Sequence, residues 1–145
     1  MEKSKVRPQP PEPPPRPQPP KPQGTKIYPI PFPKGWHMIW AMYTQSSNEF
    51  TVILKDNSET YVNVTRAQEE PIPHLAEGAS EIKGENLQLE VTISGKNFTG
   101  FKDCINTYVV FDGASNIVGY GYNLCVEDWT DNDYNDLFVT MACWR

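Results

Sequence analysis

The segment from Glu127 to Asp136 concentrates oxygen ligands. Its sequence, EDWTDNDYND, holds five carboxylates in ten residues. No Lys or Arg occurs between Lys102 and Arg145, so no residue near in sequence neutralises this charge. Unit charges a few ångströms apart repel by about 1 kcal/mol per pair in water, and by more where a loop is partly desolvated. A compact loop of this composition therefore needs either full solvent exposure or a bound cation.

The spacing of these oxygens favours a cation. Asp131, Asp133 and Asn135 alternate, so in an extended turn their oxygens converge on one side, and a further carboxylate follows at Asp136. Ligands made only of oxygen suit calcium over zinc or copper, and calcium tolerates an irregular geometry that magnesium does not. The alternatives are a solvated acidic turn and an Asx-rich loop that caps its own backbone. An EF-hand is excluded, because Asp136 stands where that loop needs Gly and no Glu follows at its twelfth position.

Short β-type runs flank the acidic segment and occupy most of the chain. Apolar and polar side chains alternate from Leu87 to Ile93, as in a half-buried strand. Turn clusters separate such runs at intervals of about ten residues, which is typical of an antiparallel β-sandwich. The sequence therefore predicts an all-β fold of about nine strands, with residues 67–84 as an irregular connection. The runs assigned as strands are Trp36–Thr44, Phe50–Lys55, Thr60–Arg66, Leu87–Ser94, Thr107–Asp112, Ile117–Tyr122 and Leu137–Cys143.

The N-terminal region differs sharply in composition. Ten of the fifteen prolines lie between Pro8 and Pro22. Proline fixes φ and removes a backbone donor, so residues 1–24 are predicted to form an extended polyproline II arm, and residues 25–145 the β-sandwich. The arm is a spacer or a docking strip for a protein partner. Arg7, Pro10 and Pro13 fit an SH3-ligand pattern, although proline-rich tracts often produce such matches by chance.

Charge and motif content exclude several functions. Residues 27–145 carry seven basic and sixteen acidic residues, and so acidic a domain argues against nucleic acid as its ligand. His37 and His74 lie in no catalytic motif, and no phosphate-binding motif is present, so the chain is predicted not to be an enzyme. No apolar run reaches the length of a membrane span, and the N-terminus has no signal-peptide core. We therefore expect a soluble protein made in the cytoplasm, with any release or surface display by a non-classical route.

The three cysteines, Cys104, Cys125 and Cys143, show no metal-type spacing. Buried free thiols are the expectation for them, and a disulfide or a ligand role is the alternative.

The acidic segment resembles the hallmark of the Pseudomonas-type fucose-binding lectins, small bacterial proteins that bind fucose and mannose through calcium. The family motif reads Glu-Asp-Gly-Thr-Asp-Asn-Asp-Tyr-Asn-Asp, and this chain departs from it only at Trp129. Leu137–Cys143 supplies the apolar strand that follows the motif, and residues 45–48, Gln-Ser-Ser-Asn, resemble the family's Asn-Ser-Ser-Gly loop. The resemblance covers roughly residues 36–145. It implies a nine-stranded antiparallel sandwich, two adjacent calcium ions and an oligomer of at least two copies.

The resemblance also implies roles for individual residues. Asp133 and Asp136 would bridge the two ions, and Gln45 would contribute its backbone carbonyl. The implied calcium ligands are Glu127, Asp131, Asp133, Asn135, Asp136 and Gln45. The implied sugar-binding residues are Ser46, Ser47, Asn48, Asp128, Asp131, Trp129 and Arg145.

Three positions depart from the family. Asn48 replaces a glycine in the loop that tunes sugar preference, so the preferred sugar is expected to differ. Trp129 replaces a glycine beside the acids, where it either stacks on a sugar or packs against a neighbouring chain. Arg145 ends the chain where the family has a glycine whose terminal carboxylate completes a partner's site. Either the Arg145 carboxylate reaches that site or one calcium ion is lost.

The sequence therefore predicts a lectin that recognises a fucose- or mannose-type monosaccharide through bound calcium. The alternative is a structural or adhesive β-sandwich module of a larger assembly. In that alternative the module is calcium-stabilised or metal-free, and the Pro-rich arm docks it.

Overall fold

The computed structural model describes residues 11–67, 74–128 and 133–145. Nine strands lie in these ranges and confirm the predicted antiparallel β-sandwich. No helix in the described parts of the chain has the length and apolarity that crossing a membrane requires. The strands are β1 (Gln23–Pro29), β2 (His37–Tyr43), β3 (Glu49–Lys55), β4 (Thr60–Ala67), β5 (His74–Glu81), β6 (Gln88–Ser94), β7 (Lys102–Phe111), β8 (Ile117–Glu127) and β9 (Leu137–Trp144).

The strands form two sheets. One has four strands in the order β1-β6-β3-β4, and the other has five in the order β5-β2-β9-β8-β7. Every neighbouring pair is antiparallel. The chain crosses from the five-stranded sheet to the four-stranded one between β2 and β3, so both sheets contribute loops to each end of the sandwich.

The core lies between the two sheets. In β6 the buried side chains are Leu89, Val91 and Ile93, at every second position, which confirms the alternation that the sequence predicts. Met38 and Met42 of β2 are fully buried from the opposite sheet. Apolar burial of this kind, at about 25 cal/mol per Å² removed from water, is the main source of the fold's stability.

The prediction of an irregular connection over residues 67–84 is wrong for residue 67, which ends β4, and for residues 74–81. Residues 74–81 form β5, which pairs with β2 along its length, and residues 68–73 lie outside the described residues. The sequence HLAEGASE lacks the β-branched and aromatic residues that mark strands. Its glycine is nonetheless required, because a Cβ added at Gly78 would lie 2.4 Å from the Trp40 ring.

One further strand was not predicted, and two others differ from their predicted bounds. β1 begins at Gln23, inside the range assigned to the arm, and pairs with β6. β7 begins at Lys102 rather than Thr107, and β8 continues to Glu127 rather than ending at Tyr122. The polar residues in these stretches hide their strand character, which comes from pairing with neighbours rather than from local propensity. The described part of the arm, residues 11–22, is exposed and has no regular secondary structure.

β7 is an edge strand of the five-stranded sheet. It pairs with β8 alone among the described strands, and at its start Tyr28 and Lys26 of β1 donate to the Asp103 carboxylate, with Tyr28 Oη at 2.8 Å. Nearly all of its side chains are exposed.

The two ends of the sandwich carry different loops. Val126 pairs with Leu137 and Tyr43 with Phe138, so residues 44–48, 95–101, 128 and 133–136 gather at one end, which we name the acidic end. The turns at residues 56–59, 82–87 and 112–116 lie at the other end, which we name the distal end.

Candidate functional site

Three acidic side chains converge at the acidic end. Glu127 is the last residue of β8, Asp128 directly follows it, and Asp136 directly precedes β9. Because β8 and β9 are antiparallel neighbours, these two strand ends meet. One carboxylate oxygen from each of the three residues lies within 4.8 Å of the others. The exposed fractions are 0% for Glu127, 3% for Asp128 and 8% for Asp136, so the cluster is buried rather than solvated.

Backbone amides hold the cluster in place. The Asp128 N–H donates to Asp136 Oδ2 at 2.8 Å. The amides of Asp133 and Tyr134 donate to Glu127 Oε2 at 3.1 and 3.3 Å. Tyr134 has a φ of 54°, in the left-handed region, which a non-glycine residue adopts at an energetic cost. The turn that returns the chain to Asp136 thus folds around the carboxylate of Glu127.

The loop at residues 45–48 orients Asp128. Ser46 Oγ and Asn48 Nδ2 both donate to Asp128 Oδ2, the latter at 2.9 Å. Asn48 N also donates to Ser46 Oγ at 3.0 Å. Ser46 and Asn48 are buried whereas Ser47 is exposed. Of these three residues, Ser47 is therefore the one open to a ligand, and the other two position a carboxylate.

Gly95 makes room for Asn48, a relationship that the sequence reasoning missed. A Cβ at Gly95 would lie 2.0 Å from Asn48 Oδ1, so no other residue fits here without displacing that amide. The Gly95 N–H donates to the carbonyl of Pro22 at 3.0 Å, which places the end of the arm beside the same loop. Only the pairing of β6 with β1 and β3 reveals this contact, because Asn48 and Gly95 are far apart in sequence.

Burial and like charge disfavour the ionised cluster. Burial raises the pKa of Asp136 to about 8, with the neighbouring Asp128 and Glu127 acting in the same direction and the amide of Asp128 opposing them. The sheet also places Lys102 opposite Glu127 in the β7–β8 ladder. The acids have no basic residue near them in sequence, but the folded sheet therefore brings one to the position opposite Glu127.

The residues fit a hard divalent cation. Three buried carboxylates this close together cost several kcal/mol unless protons or a cation neutralise them. A calcium ion is neutralising, accepts oxygen ligands only, and tolerates the irregular arrangement of a loop. The donor set contains no nitrogen or sulfur ligand, which disfavours zinc and copper.

Other predicted site residues lie around this cluster or outside it. Asp133 and Asn135 are exposed, and the Asn135 N–H donates to Asp133 Oδ1 at 3.4 Å. Trp129 and Asp131 lie outside the described residues. Arg145 is not brought to the cluster of its own chain. It follows β9, whose eight residues at about 3.4 Å each separate it from the acidic end by roughly 25 Å.

An open cavity with aromatic walls adjoins the acidic loop, and the sequence reasoning did not identify it. Its volume is about 390 Å³. It is lined by Tyr43, Gln45, Tyr134, Asn135 and Phe138. Two of these, Gln45 and Asn135, are predicted calcium ligands, so the cavity borders the candidate site. The aromatic residues at the end of β2 and the start of β9 were visible in the sequence, but their common wall depends on the pairing of Tyr43 with Phe138.

Solved lectin structures share this architecture. The structure resembles the C-terminal domain of the BC2L-C lectin from Burkholderia cenocepacia, with a TM-score of 0.56 and 15% identity over 85% of this chain and 97% of that chain. A high-affinity mannose-binding lectin from Ralstonia solanacearum gives a TM-score of 0.56 and 15% identity over 82% of this chain and 95% of that one. The fold is that of the bacterial fucose- and mannose-binding lectins.

A third similar structure is the Chromobacterium violaceum lectin CV2L, solved in complex with α-methyl-fucoside. Its TM-score is 0.51, with 14% identity over 82% of this chain and 95% of that chain. At such identities the likeness establishes the fold alone. No protein-family model matches the chain, and no curated protein sequence matches it.

Proposed function

We propose that this protein is a lectin that binds a fucose- or mannose-type monosaccharide through calcium held at the acidic end. The observation that carries the proposal is the buried cluster of Glu127, Asp128 and Asp136, whose ligand oxygens lie within 4.8 Å of one another. The shared lectin fold supports it, since one similar structure carries a fucoside and another is a mannose-binding lectin.

The roles proposed for calcium, Asp128 and Ser47 follow from burial and hydrogen bonding. Bound calcium would supply the positive charge that attracts hydroxyl oxygens of the sugar. Asp128 is oriented by Ser46 and Asn48, so it can accept a hydrogen bond from a sugar hydroxyl with little reorganisation. Ser47, the exposed residue of the loop, contacts the sugar and contributes to the choice between fucose and mannose.

The less polar face of the sugar would pack against the rings of the aromatic cavity. Tyr43, Tyr134 and Phe138 line it beside Gln45 and Asn135. Aromatic rings offer a large contact area at a modest entropic cost, because few side-chain torsions are frozen. Trp129 and Asp131 remain in the proposal as a stacking residue and as a shared ligand of calcium and sugar, on the strength of the resemblance.

The ion count is part of the proposal. Two calcium ions are carried over from the resemblance, with Asp133 and Asn135 completing the ligand set alongside the buried cluster. Asp133 and Asn135 are exposed, so their side-chain oxygens are accessible to an ion. The stoichiometry of a calcium titration decides between one ion and two.

The decisive experiment compares two carboxylate-to-amide variants in calorimetric titrations of the full chain, first with calcium and then with fucose and mannose. Asp136→Asn removes a buried member of the cluster, and Glu85→Gln changes an exposed acid at the distal end. We expect the wild type and Glu85→Gln to bind calcium and, in its presence, sugar, with EGTA reversing both. Asp136→Asn should lose both by about a hundredfold or more.

Two outcomes would contradict this function. If calcium added to the wild type produces no heat, the proposed metal site is contradicted, and the calcium-dependent sugar site with it. Calcium binding that raises thermal stability, with no heat from either sugar, supports the alternative of a structural or adhesive module.

We also propose that the protein assembles with at least one further copy of itself. Support comes from the exposed apolar side chains of the edge strand β7, which are Ile105, Tyr108, Val109, Val110 and Phe111. Arg145 can complete an acidic site only in a second chain, because it lies at the other end of its own. Light scattering should give at least twice the monomer mass.

The Pro-rich arm, exposed over residues 11–21, remains the proposed contact for a different protein.

A further inference from the structure

Two cysteines face each other across an edge of the five-stranded sheet. Cys104 of β7 and Cys125 of β8 are direct partners in the antiparallel register. Directly opposed residues of antiparallel strands have Cα atoms about 4.5–5.5 Å apart. A disulfide requires a Cα separation of about 4.4–6.8 Å. The backbone at this position therefore meets the Cα distance requirement of a disulfide.

The two thiols also project to the same face. The neighbouring pairs place Leu124 and Val126 of β8 on the inner face, where both are fully buried. Successive side chains of a strand point to opposite faces, so Cys125, which lies between them, points to the outer face. Side chains directly opposed in an antiparallel pair share a face, which puts Cys104 beside it. Consistent with this, Cys104 is exposed and Cys125 half-buried, so the expectation of buried thiols is wrong for Cys104.

The third cysteine is separate from this pair. Cys143 is buried in the core and pairs in register with Tyr120 of β8, five residues along that strand from Cys125. At about 3.4 Å per residue this is roughly 17 Å, too far for a disulfide.

The pKa of the Cys125 thiol is raised by its burial and by the proximity of Cys104.

We propose that Cys104 and Cys125 form an intrachain disulfide that staples the edge strand β7 to β8 under oxidising conditions. Each Sγ loses its hydrogen and an S–S bond forms between them. The two hydrogens and two electrons pass to a disulfide oxidant such as oxidised glutathione, whose own S–S bond breaks to give two thiols.

The position of this staple links it to the acidic end. Cys125 lies two residues before Glu127, and Cys104 lies two residues after Lys102, which faces Glu127 in the ladder. Glu127 lies one residue beyond the last β8–β9 pair, Val126 with Leu137, and its partner in the sheet is Lys102 of β7, so fraying of β7 would leave Glu127 without that partner. The disulfide prevents that fraying and fixes the strand end that carries Glu127 and Asp128.

The test uses the full chain equilibrated with oxidised or reduced glutathione. We expect the oxidised sample to lose two hydrogens by intact mass, to give a Cys104–Cys125 peptide on mapping, and to melt about 5–10 °C higher than the reduced one. Cys104→Ser and Cys125→Ser should lose both the mass change and the stabilisation. The control is Cys143→Ala, which should melt at a lower temperature than the wild type because it changes the core. Oxidation should still give this variant the mass change and should still raise its melting temperature.

Three outcomes would overturn the inference. They are retention of two free thiols at these positions after oxidation, a mixed disulfide of Cys104 with glutathione as the stable product, and a Cys104–Cys104 bond between chains. A reducible mass change with the same melting temperature in both samples would also contradict the stapling role.

Discussion

The two ends of the sandwich use acidic residues in opposite ways. At the distal end, burial alone would raise the pKa of Asp56, but hydrogen bonds from Tyr61, Ser58, Glu59 and Gly84 lower it to about 2. The amides of Ser58, Glu59 and Gly84 each lie 2.8 Å from its carboxylate. At the acidic end, Asp136 accepts one amide hydrogen bond and lies among other acids, and its pKa is raised to about 8.

This difference separates two kinds of acidic turn that look alike in sequence. Asp56-Asn-Ser is an Asx turn whose carboxylate is satisfied by the chain's own N–H groups. The Asp112 carboxylate is also satisfied by nearby N–H groups, because amide donors from Asn116 and Ala114 hold its pKa below the usual range. The carboxylates of Glu127, Asp128 and Asp136 are buried and lie against one another. Such a cluster is neutralised by protons or by a cation, whereas a self-capped turn keeps its charge.

The comparison is tested most strongly by one charge-neutralising change at each end. Glu127→Gln removes a fully buried carboxylate from the cluster, and we expect calcium affinity to fall at least about a hundredfold. Asp56→Asn makes the same chemical change in a self-capped turn. It should leave calcium affinity unchanged but lower the free energy of unfolding by about 1–2 kcal/mol, because charge-assisted hydrogen bonds weaken. Calorimetric titration and urea unfolding measure the two effects, and an equal loss of calcium affinity in both variants would refute the distinction.

A second effect, of several degrees in melting temperature, is expected from pH. The pKa of Asp136 is raised from 3.8 to about 8 in the folded chain, so between these values the folded state keeps a proton that the unfolded state has lost. Its contribution to stability is complete below pH 3.8 and is lost as the pH rises towards 8. Asp56, with a pKa of about 2, is charged throughout the range from pH 5 to 8 and does not interfere.

Melting curves at pH 5 to 8 in EGTA and in calcium measure this effect. In EGTA the melting temperature should fall as the pH rises. In calcium it should stay nearly level, because the ion holds the carboxylate in its charged form. Asp136→Asn provides the control and should flatten the curve in EGTA. A rising curve in EGTA would show that the cluster is stabilised by ionisation and needs no cation.

The sequence predicted those parts of the fold whose pattern is local. The alternation from Leu87 to Ile93 specifies β6 because each apolar residue faces the core. β5 and β1 were missed because they lack a clear alternation of apolar and polar residues, and their strand conformation comes from pairing with β2 and β6. Local propensity cannot report a strand that has no such pattern of its own.

The candidate site divides in the same way. Glu127 and Asp136 were predicted from composition and resemblance, and the structure brings them together with Asp128. The burial of Asn48 and the approach of Lys102 to the register position of Glu127 were not predictable, because each depends on which strands are neighbours. Asn48 in particular was predicted to tune sugar preference, and the structure buries it and gives it a hydrogen bond to Asp128.

The smallest expected effect concerns this Asn48 contact. An alanine Cβ at Gly95 would lie 2.0 Å from Asn48 Oδ1 and 2.7 Å from its Cγ, so the buried amide would have to move. Gly95→Ala should therefore break the hydrogen bond to Asp128 and lower sugar affinity about tenfold, the contribution of one hydrogen bond to a charged group. Calcium affinity should change less, since Asp128 stays in the cluster.

A double-mutant cycle separates this mechanism from a general disturbance of the loop. In Asn48→Ala the clashing amide is gone and only the 3.0 Å contact with the Cβ of residue 48 remains, so adding Gly95→Ala should cost little further, and the two effects should not add. Gly113→Ala is the matched control, because a Cβ at this distal-end turn meets no atom within 4 Å. Additive losses in the cycle, or full sugar affinity in Gly95→Ala, would mean that Asn48 does not position Asp128. The contrast between the ends would then rest on the carboxylates alone, without the loop that orients them.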